Sequence, residues 1–465
     1  MLFRSRRPGR IFRALDLIEG TLRFGHESQG SNRSVVQNRI GLRFLKHIWK
    51  TQESPISLYM AISEDKQITT RRTNALTIDE LFAGAMLVYP FWYNHVRQHA
   101  CSFEEATRQL LAQARLHWDG LSPVAAVGMR SWKRPTVTRF LSAMHRVKFA
   151  ISDTDAITDA QKRNGQVVVW ASRESTDLAA DCLACDVPLL RMEDGFLRSS
   201  GLGAELTPAS SLVLDDLGIY YDPSKPSQLE YLISKSPDLP EFASQRAVDL
   251  RTKIIVKGVS KYNLKGSVVP QFPIGQKIIL VPGQVEDDAS IRLGSGVVRT
   301  NVELLKAARS AHPKAYIVYK PHPDVLAGLR AGSVSDTAAL DICDRIVANV
   351  DVAKLIDASD EIWTITSLLG FEALLRGKPV VCLGVPFYAG WGLTRDLGPK
   401  CERRGLSVSL DQLVHATLID YPRYLDPVSN LPCTPELIVD RLTNGAGHKP
   451  AKIARYGKVT RDICK

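Results

Sequence analysis

Glu193 and Asp194 end the run Leu190-Arg191-Met192 and are followed at once by Gly195. Acids closing a strand-like run stand at the edge where open α/β sheets bind ligands. A carboxylate beside a reacting carbon serves as general base or nucleophile. Gly195 lets the backbone turn sharply and come close to a substrate. His322 sits between Pro321 and Pro323, just after the strand-like Tyr316-Ile317-Val318-Tyr319 and Lys320. The prolines stiffen the loop and aim the imidazole. Protonated, or donating a hydrogen bond, His322 can stabilise a leaving phosphate, with Lys320 adding positive charge. Thr366 and Ser367 open the helix-like stretch from Leu368 to Arg376, where unpaired amides and the helix dipole favour phosphate. Glu372, in the same stretch, is within reach of ribose hydroxyls. Gln284 and Asp287 leave the strand-like Lys277-Ile278-Ile279-Leu280-Val281 in a polar loop and can read a base or a sugar.

Each motif also has a plainer reading: a solvated Glu-Asp-Gly turn, a buried histidine in a Pro-rich turn, an N-cap for Ser367, a solvated helix face for Glu372. The aromatic and glycine-rich Pro386-Phe387-Tyr388-Ala389-Gly390-Trp391-Gly392 is either a ligand-approach loop or a packed corner between domains. Cys182-Leu183-Ala184-Cys185 is a lone CxxC with no second pair or histidine nearby, so it reads as structural and no metal site is expected.

Strands must alternate with helices to place these groups. Gln166 to Ala171, Val187 to Arg191 and Ser211 to Asp216 read as strands, with Gly218 to Asp222 pairing nearby. Helices are expected over Glu174 to Cys185, Pro226 to Ser234 and Pro240 to Val256. The stretch 266–275 is the natural linker. A second alternating set follows: strands at Lys277 to Val281, Ala315 to Tyr319, Glu361 to Ile365 and Pro379 to Leu383, with helices between. This pattern implies two parallel-sheet domains facing a cleft.

The 465 residues exceed one core, and 45% hydrophobic with 23% charged residues is ordinary for a globular protein. A net charge of +11 points to an anionic partner: nucleotides, acidic sugars, a phospholipid surface or nucleic acid. No interleaving of arginines with aromatics supports nucleic acid. The basic start, Met1 to Arg10, lacks the apolar core of a signal peptide, and no stretch is long enough to span a bilayer. The expectation is a cytoplasmic protein with reduced cysteines, touching the inner face of the inner membrane peripherally.

Residues 71–110 match 403–442 at a constant offset of 332 with ten identities, among them Tyr89-Pro90 with Tyr421-Pro422 and Cys101 with Cys433. A long-period repeat argues for duplication. Both copies read as helix, turn, helix, with starts near Thr77 or Ser409 and near Ser102 or Thr434. The expected division is a basic segment 1–70, a helical repeat unit 71–115 and a Rossmann-like domain 116–265 carrying Glu193-Asp194-Gly195. A second Rossmann-like, nucleotide-binding domain covers 270–400, a helical tail 401–445 repeats 71–113, and a basic tail covers 446–465. The chain thus reads as one complete module preceded by the tail of a shortened sister.

Together the motifs resemble the KpsC-type capsular polysaccharide β-Kdo transferases. The matching stretches are Glu193 to Ser199, Leu212 to Asp222, Val281 to Ser290, Lys320 to Asp324, Thr366 to Pro379, Pro386 to Thr394 and the tail around Tyr421-Pro422-Arg423-Tyr424. The resemblance implies a GT-B-like fold and a retaining transfer of Kdo from CMP-Kdo to a lipid-linked or Kdo-terminated acceptor. It makes Asp194 the nucleophile or catalytic acid group, with Glu193 beside it, and puts His322 and Ser367 on the CMP phosphate. Lys320, Pro323, Thr366, Gln284, Asp287, Glu372 and Gly195 complete the expected site. Arg198 is expected to pair with the sugar carboxylate, since a guanidinium fits a carboxylate in bidentate fashion. CMP-Kdo is the donor, no cofactor or metal is expected, and capsule assembly and export proteins are candidate partners. The alternatives are a non-catalytic scaffold or export adaptor, or a transferase for another CMP-linked acidic sugar.

Overall fold

Val167-Val168-Val169 and Ile278-Ile279-Leu280-Val281 are unbroken apolar runs, the pattern of strands buried on both faces. Each lies inside one of two six-stranded sheets. The computed structural model describes residues 83–445, apart from 89, 143, 200, 202–206, 262, 264 and 265. The basic segment 1–70, residues 71–82 with the expected cap Thr77, and the tail 446–465 lie outside the described residues.

The chain divides into two compact units at Trp118–Asp119. In the first, a π-helical turn (Ala83–Val88) precedes a hairpin of β1 (Trp92–Asn94) and β2 (His99–Cys101), then helix α1 (Phe103–Asp119). Asn94 fixes the hairpin. Its Oδ1 accepts from the amides of Val96 (3.1 Å) and Arg97 (3.0 Å), and its Nδ2 donates to Glu105 Oε1 at 2.8 Å. The expected helix–turn–helix therefore carries a hairpin at its turn. Proline withdraws a helical donor, and the aromatic residues after it favour extended pairing.

The second unit holds two lobes. The first lobe runs β3 (Val124–Val127), α2 (Arg134–Leu141), β4 (Lys148–Phe149), α3 (Asp153–Lys162), β5 (Gln166–Trp170), α4 (Leu178–Ala184), β6 (Leu189–Asp194), β7 (Ser211–Asp215), α5 (Gln228–Lys235) and α6 (Glu241–Lys257). The second lobe runs β8 (Ile278–Pro282), α7 (Ala289–Gly294), α8 (Asn301–Ala311), β9 (Tyr316–Lys320), α9 (Pro323–Leu326), α10 (Asp336–Leu340), β10 (Arg345–Ile346), α11 (Val352–Asp357), β11 (Glu361–Thr364), α12 (Leu368–Leu375), β12 (Val380–Cys382) and β13 (Arg395–Asp396). The tail adds α13 (Leu410–Val414), a π-helical turn (His415–Asp420), β14 (Pro422–Tyr424) and α14 (Pro435–Thr443).

The second-lobe sheet is wholly parallel, in the order β10-β9-β8-β11-β12-β13. The first-lobe sheet, β14-β7-β6-β5-β3-β4, is mixed: β7 runs antiparallel to both β6 and β14. Among the described residues no helix lies between β6 and β7, and an antiparallel pair needs no crossover connection. The stretch from Gly218 to Asp222, expected to pair nearby, forms turns instead. Asp215 dictates this by accepting the amides of Leu217 (3.0 Å), Gly218 (2.9 Å) and Gln228 (2.9 Å).

The tail is not simply helical. Pro422-Arg423-Tyr424 closes the first-lobe sheet from its edge, opposite Val213, Leu212 and Ser211, where a proline costs no ladder donor. Around it α6 grips both tail helices through Arg246–Glu436 (2.8 Å), Arg251–Asp411 (2.7 Å) and Lys253–Asp440 (2.8 Å). Tyr421 Oη donates to Asp215 Oδ2 at 2.8 Å. Among the described residues no helix is long and apolar enough to cross a membrane.

Candidate active site between the lobes

The carboxyl ends of β3, β5 and β6 in one lobe, and of β8, β9 and β11 in the other, open on a shared cleft of about 860 Å³. Of the twelve residues singled out from the sequence, Glu193, Asp194, Arg198, Gln284, Asp287, Lys320, His322, Pro323, Thr366, Ser367 and Glu372 line it. Gly195 has a different task. A Cβ there would stand 2.4 Å from Ser211 Oγ, so the close approach it permits is to β7.

Asp194 is the last residue of β6 and is held from two sides. Arg198 Nε donates to its Oδ2 at 3.0 Å, and Lys133 Nζ lies 3.4 Å from the same oxygen. Burial opposes ionisation of this carboxyl, but Arg198 and Lys133 overcome it and hold Asp194 well below the usual carboxylate range. Arg198 is 1% exposed, and its other nitrogens donate to Ser199 Oγ (2.8 Å) and Thr207 O (3.1 Å). Its guanidinium thus holds Asp194 and its own loop, whereas the expected partner was a sugar carboxylate. Glu193 goes the other way: burial, added to the neighbouring Asp194 charge and only partly offset by Lys133, pushes it up to about 7. One strand end therefore presents a carboxylate fixed in its charged form beside a carboxyl poised to exchange a proton.

Lys133 escaped the sequence reading. It lies in the short turn after β3, 3.2 Å above the centroid of the Trp170 ring, and burial lowers its pKa. The signal was present: Trp132-Lys133 follows an apolar strand and Gly128, the same strand-end pattern that marks Asp194. Tyr220 was also missed. Its hydroxyl donates to Asp194 O at 3.5 Å, and its ring packs 4.9 Å from that of Phe196.

The opposite wall belongs to the second lobe. His322 Nδ1 accepts the amide of Asp324 at 3.1 Å, capping α9, so the neutral ring carries its proton on Nε2. Burial, with Lys261 and Lys320 nearby, lowers the pKa of His322 to about 4. The ring is therefore a neutral donor at physiological pH rather than an imidazolium. Gln284, 5% exposed, has its Oε1 on the amide of Thr366 at 2.9 Å, while its Nε2 is buried with no partner among the described residues. A buried amide N–H₂ facing a cavity is a donor awaiting an acceptor. Ser367 caps α12 by accepting the amide of Leu369 at 3.2 Å, and Leu368 and Leu369 bring the helix start to the cleft wall. Lys320 is buried at the end of β9, with Nζ 3.5 Å from Pro321 O. Glu372 is engaged: its Oε1 accepts the amide of Lys261 at 2.7 Å and so pins a cleft-lining loop. Asp287 lies at the exposed rim, 3.2 Å from Arg330 Nε.

Phe387, from the aromatic loop, joins Phe196 (4.8 Å between centroids) and Phe371 (5.3 Å) in the cleft floor, while Tyr388 and Trp391 are buried. The loop is a packed interlobe corner. Cys182 belongs to the first-lobe core, as the structural reading of the CxxC requires. Among the described residues no group of three or more His, Cys, Asp or Glu is placed to hold a metal ion.

The fold and cleft define a two-lobed α/β protein with a carboxylate on one wall and hydrogen-bond donors on the other. The chain belongs to the capsule polysaccharide biosynthesis protein family, whose model matches residues 165–265 and 250–424, and within it to the KpsC type. It is 40% identical over 365 residues to the capsule polysaccharide modification protein LipA of Neisseria meningitidis serogroup B, covering 78% of this chain and 51% of that protein. It is 41% identical over 306 residues to the lipopolysaccharide-processing protein LpsZ of Rhizobium meliloti, covering 64% of this chain and 69% of that one. The chain spans about half the length of the meningococcal relatives it matches. Two solved structures from Thermosulfurimonas dismutans KpsC are similar. The beta Kdo 2,7 transferase has 35% identity and a TM-score of 0.57, covering 70% of this chain and 99% of that chain. The beta Kdo 2,4 transferase has 31% identity and a TM-score of 0.60, covering 69% and 98%.

Proposed function

We propose that this protein is a retaining glycosyltransferase that moves Kdo from CMP-Kdo to a lipid-linked or Kdo-terminated acceptor in capsular polysaccharide biosynthesis. The observation that carries the reading is the opposition of two walls in one cleft: the cation-held Asp194 on the first lobe, and His322, Gln284 and the start of α12 on the second. The likeness to two Kdo transferases supports the choice of sugar. The two-lobed layout is read as GT-B-like.

In this scheme the CMP phosphate meets the Nε2–H of His322 and the amides opening α12, with Lys320 adding charge behind them. Asp194 attacks the anomeric carbon, the bond from that carbon to the phosphate oxygen breaks, and CMP leaves. An acceptor hydroxyl then attacks the same carbon, passing its proton to Glu193 as the bond to Asp194 breaks. Two inversions give retention. Arg198 and Lys133 keep Asp194 ionised and aimed. The scheme needs neither metal nor organic cofactor, and turnover that persists in a chelator is the expected result.

The stretches 332 residues apart are read as copies of one tail unit. Each carries a six-residue π-helical turn, at Ala83–Val88 and His415–Asp420, and a helix opening at Phe103 or Pro435. Placement at the cytoplasmic face of the inner membrane, beside capsule assembly and export proteins, fits the +11 charge and an anionic acceptor.

The test is to incubate the protein with CMP-Kdo and a Kdo-terminated glycolipid. CMP release with an extended product, both lost in Asp194→Ala, is expected. A wild-type protein as inert as that variant would sink the proposal.

A further inference from the structure

The second lobe accounts for the phosphate wall, and Asp194 with its two cations for the reacting centre. The rim of the first lobe carries basic and aromatic residues that neither uses. Arg130 and Trp132 follow β3, and Arg173 follows β5. These strands are parallel neighbours with Val127 opposite Val169, so their carboxyl ends open side by side. Gly128 brings the two loops together: at φ +72° it has no side chain, and a Cβ there would stand 2.9 Å from Arg173 Cβ. Arg130, Trp132 and Arg173 all line the cleft, and both arginines are exposed. Among the described residues neither guanidinium is paired with an acid. Trp132 Nε1 is buried with no hydrogen-bond partner among the described residues.

A buried indole N–H without an acceptor is uncommon and wants a partner. Two unpaired guanidinium forks beside it make a surface suited to a carboxylate on a ring that also offers oxygen acceptors. The position is close to the chemistry, because the next residue, Lys133, reaches Asp194 at 3.4 Å.

We propose that Arg130, Trp132 and Arg173 form the acceptor subsite and recognise the carboxylate of an acidic sugar at the acceptor's end. This rests on the transferase reading above and assigns it a specificity-determining surface. Donor and acceptor then enter from opposite walls, and the acceptor hydroxyl is delivered from the Lys133 side toward Asp194 and Glu193. The arginines replace Arg198, which is committed to Asp194, as the readers of a sugar acid.

The test reads binding rather than turnover. A Kdo-terminated oligosaccharide and its carboxyl-reduced counterpart are titrated into the full chain saturated with CMP, as wild type, Arg130→Ala, Arg173→Ala and Arg173→Lys. Loss of one charge-assisted contact should weaken the acidic probe by about tenfold or more. The reduced probe should lose almost nothing, Arg173→Lys should recover part of the loss, and CMP affinity should hold, which also shows that the variants fold. Equal losses for both probes, unchanged binding of the acidic probe, or weakened CMP binding would overturn the proposal. So would inorganic phosphate displacing the acidic sugar as well as a sugar acid does, since the surface would then be a phosphate site. A wild type that binds the acidic probe through these arginines but transfers no sugar would instead sink the transferase reading and leave the subsite standing.

Discussion

Arg198 Nε stands 3.0 Å from Asp194 Oδ2, and the rest of the same guanidinium is spent on Ser199 and Thr207. The pair is a fixed device: one carboxylate oxygen is held on an arginine that is itself locked by its own loop. Removing one partner of a buried pair typically costs about 3–5 kcal/mol, so Arg198→Met should lower thermal stability sharply. Arg198→Lys keeps the charge and loses the fork. It should fold and lose about 10²-fold in kcat. In that variant Asp194 is held ionised less firmly, so the acid limb of donor consumption should move to higher pH. A pH–rate profile with an unmoved acid limb would contradict this.

Glu193 supplies a second pH dependence. As the proton acceptor it must be ionised, so transfer should rise with pH through about 7, the value to which burial pushes it. Glu193→Gln should lower the rate and flatten that limb. The stability sign is opposite. A carboxyl raised in the folded state favours folding most below its unfolded pKa, and that advantage is lost as pH rises through about 7. Wild type should therefore lose stability relative to Glu193→Gln between about pH 4.5 and 8, which denaturant titrations at several pH values would measure.

His322 is neutral above about pH 4 and offers an N–H. His322→Ala should weaken CMP binding by about tenfold, and His322→Asn, which restores a donor, should recover part of it. Calorimetry should show the wild-type affinity free of a histidine titration between pH 6 and 8. A step near the ordinary histidine value would mean that the ring binds phosphate as an imidazolium.

Tyr421→Phe tests the return of the tail. It removes the donor to Asp215, a buried bond worth about 1–2 kcal/mol. The ring that packs 6.5 Å from Phe196, two residues beyond Asp194, is kept in this variant, so activity below the melting transition should hold while stability falls. A melting temperature equal to wild type would show that the contact adds nothing.

The strand–helix alternation was legible because buried parallel strands such as Val167-Val168-Val169 leave continuous apolar runs. The strand-end acids and the His-Pro loop were legible for the same reason, being polar residues abutting those runs. What escaped was non-local. Nothing near Pro422 says that it will pair with Val213 across some two hundred residues, and short tail segments look helical when their partner is unseen. The Arg198–Asp194 contact was not foreseen because it depends on how the loop after β6 folds over. The strand-end position of Lys133 was legible, but its pairing with Trp170 and Asp194, neither of them close in sequence, was not.

The edge strand β14 bears on how this chain matures at the ribosome. Domains usually finish in order as they emerge, but here the first-lobe sheet stays open along β7 until Tyr424 has been synthesised, after the whole second lobe. The nascent first lobe must wait with an unpaired edge, the kind of surface that recruits wrong partners. A stalled or truncated product ending before the tail would consequently be prone to aggregate rather than persist as a half-built fold.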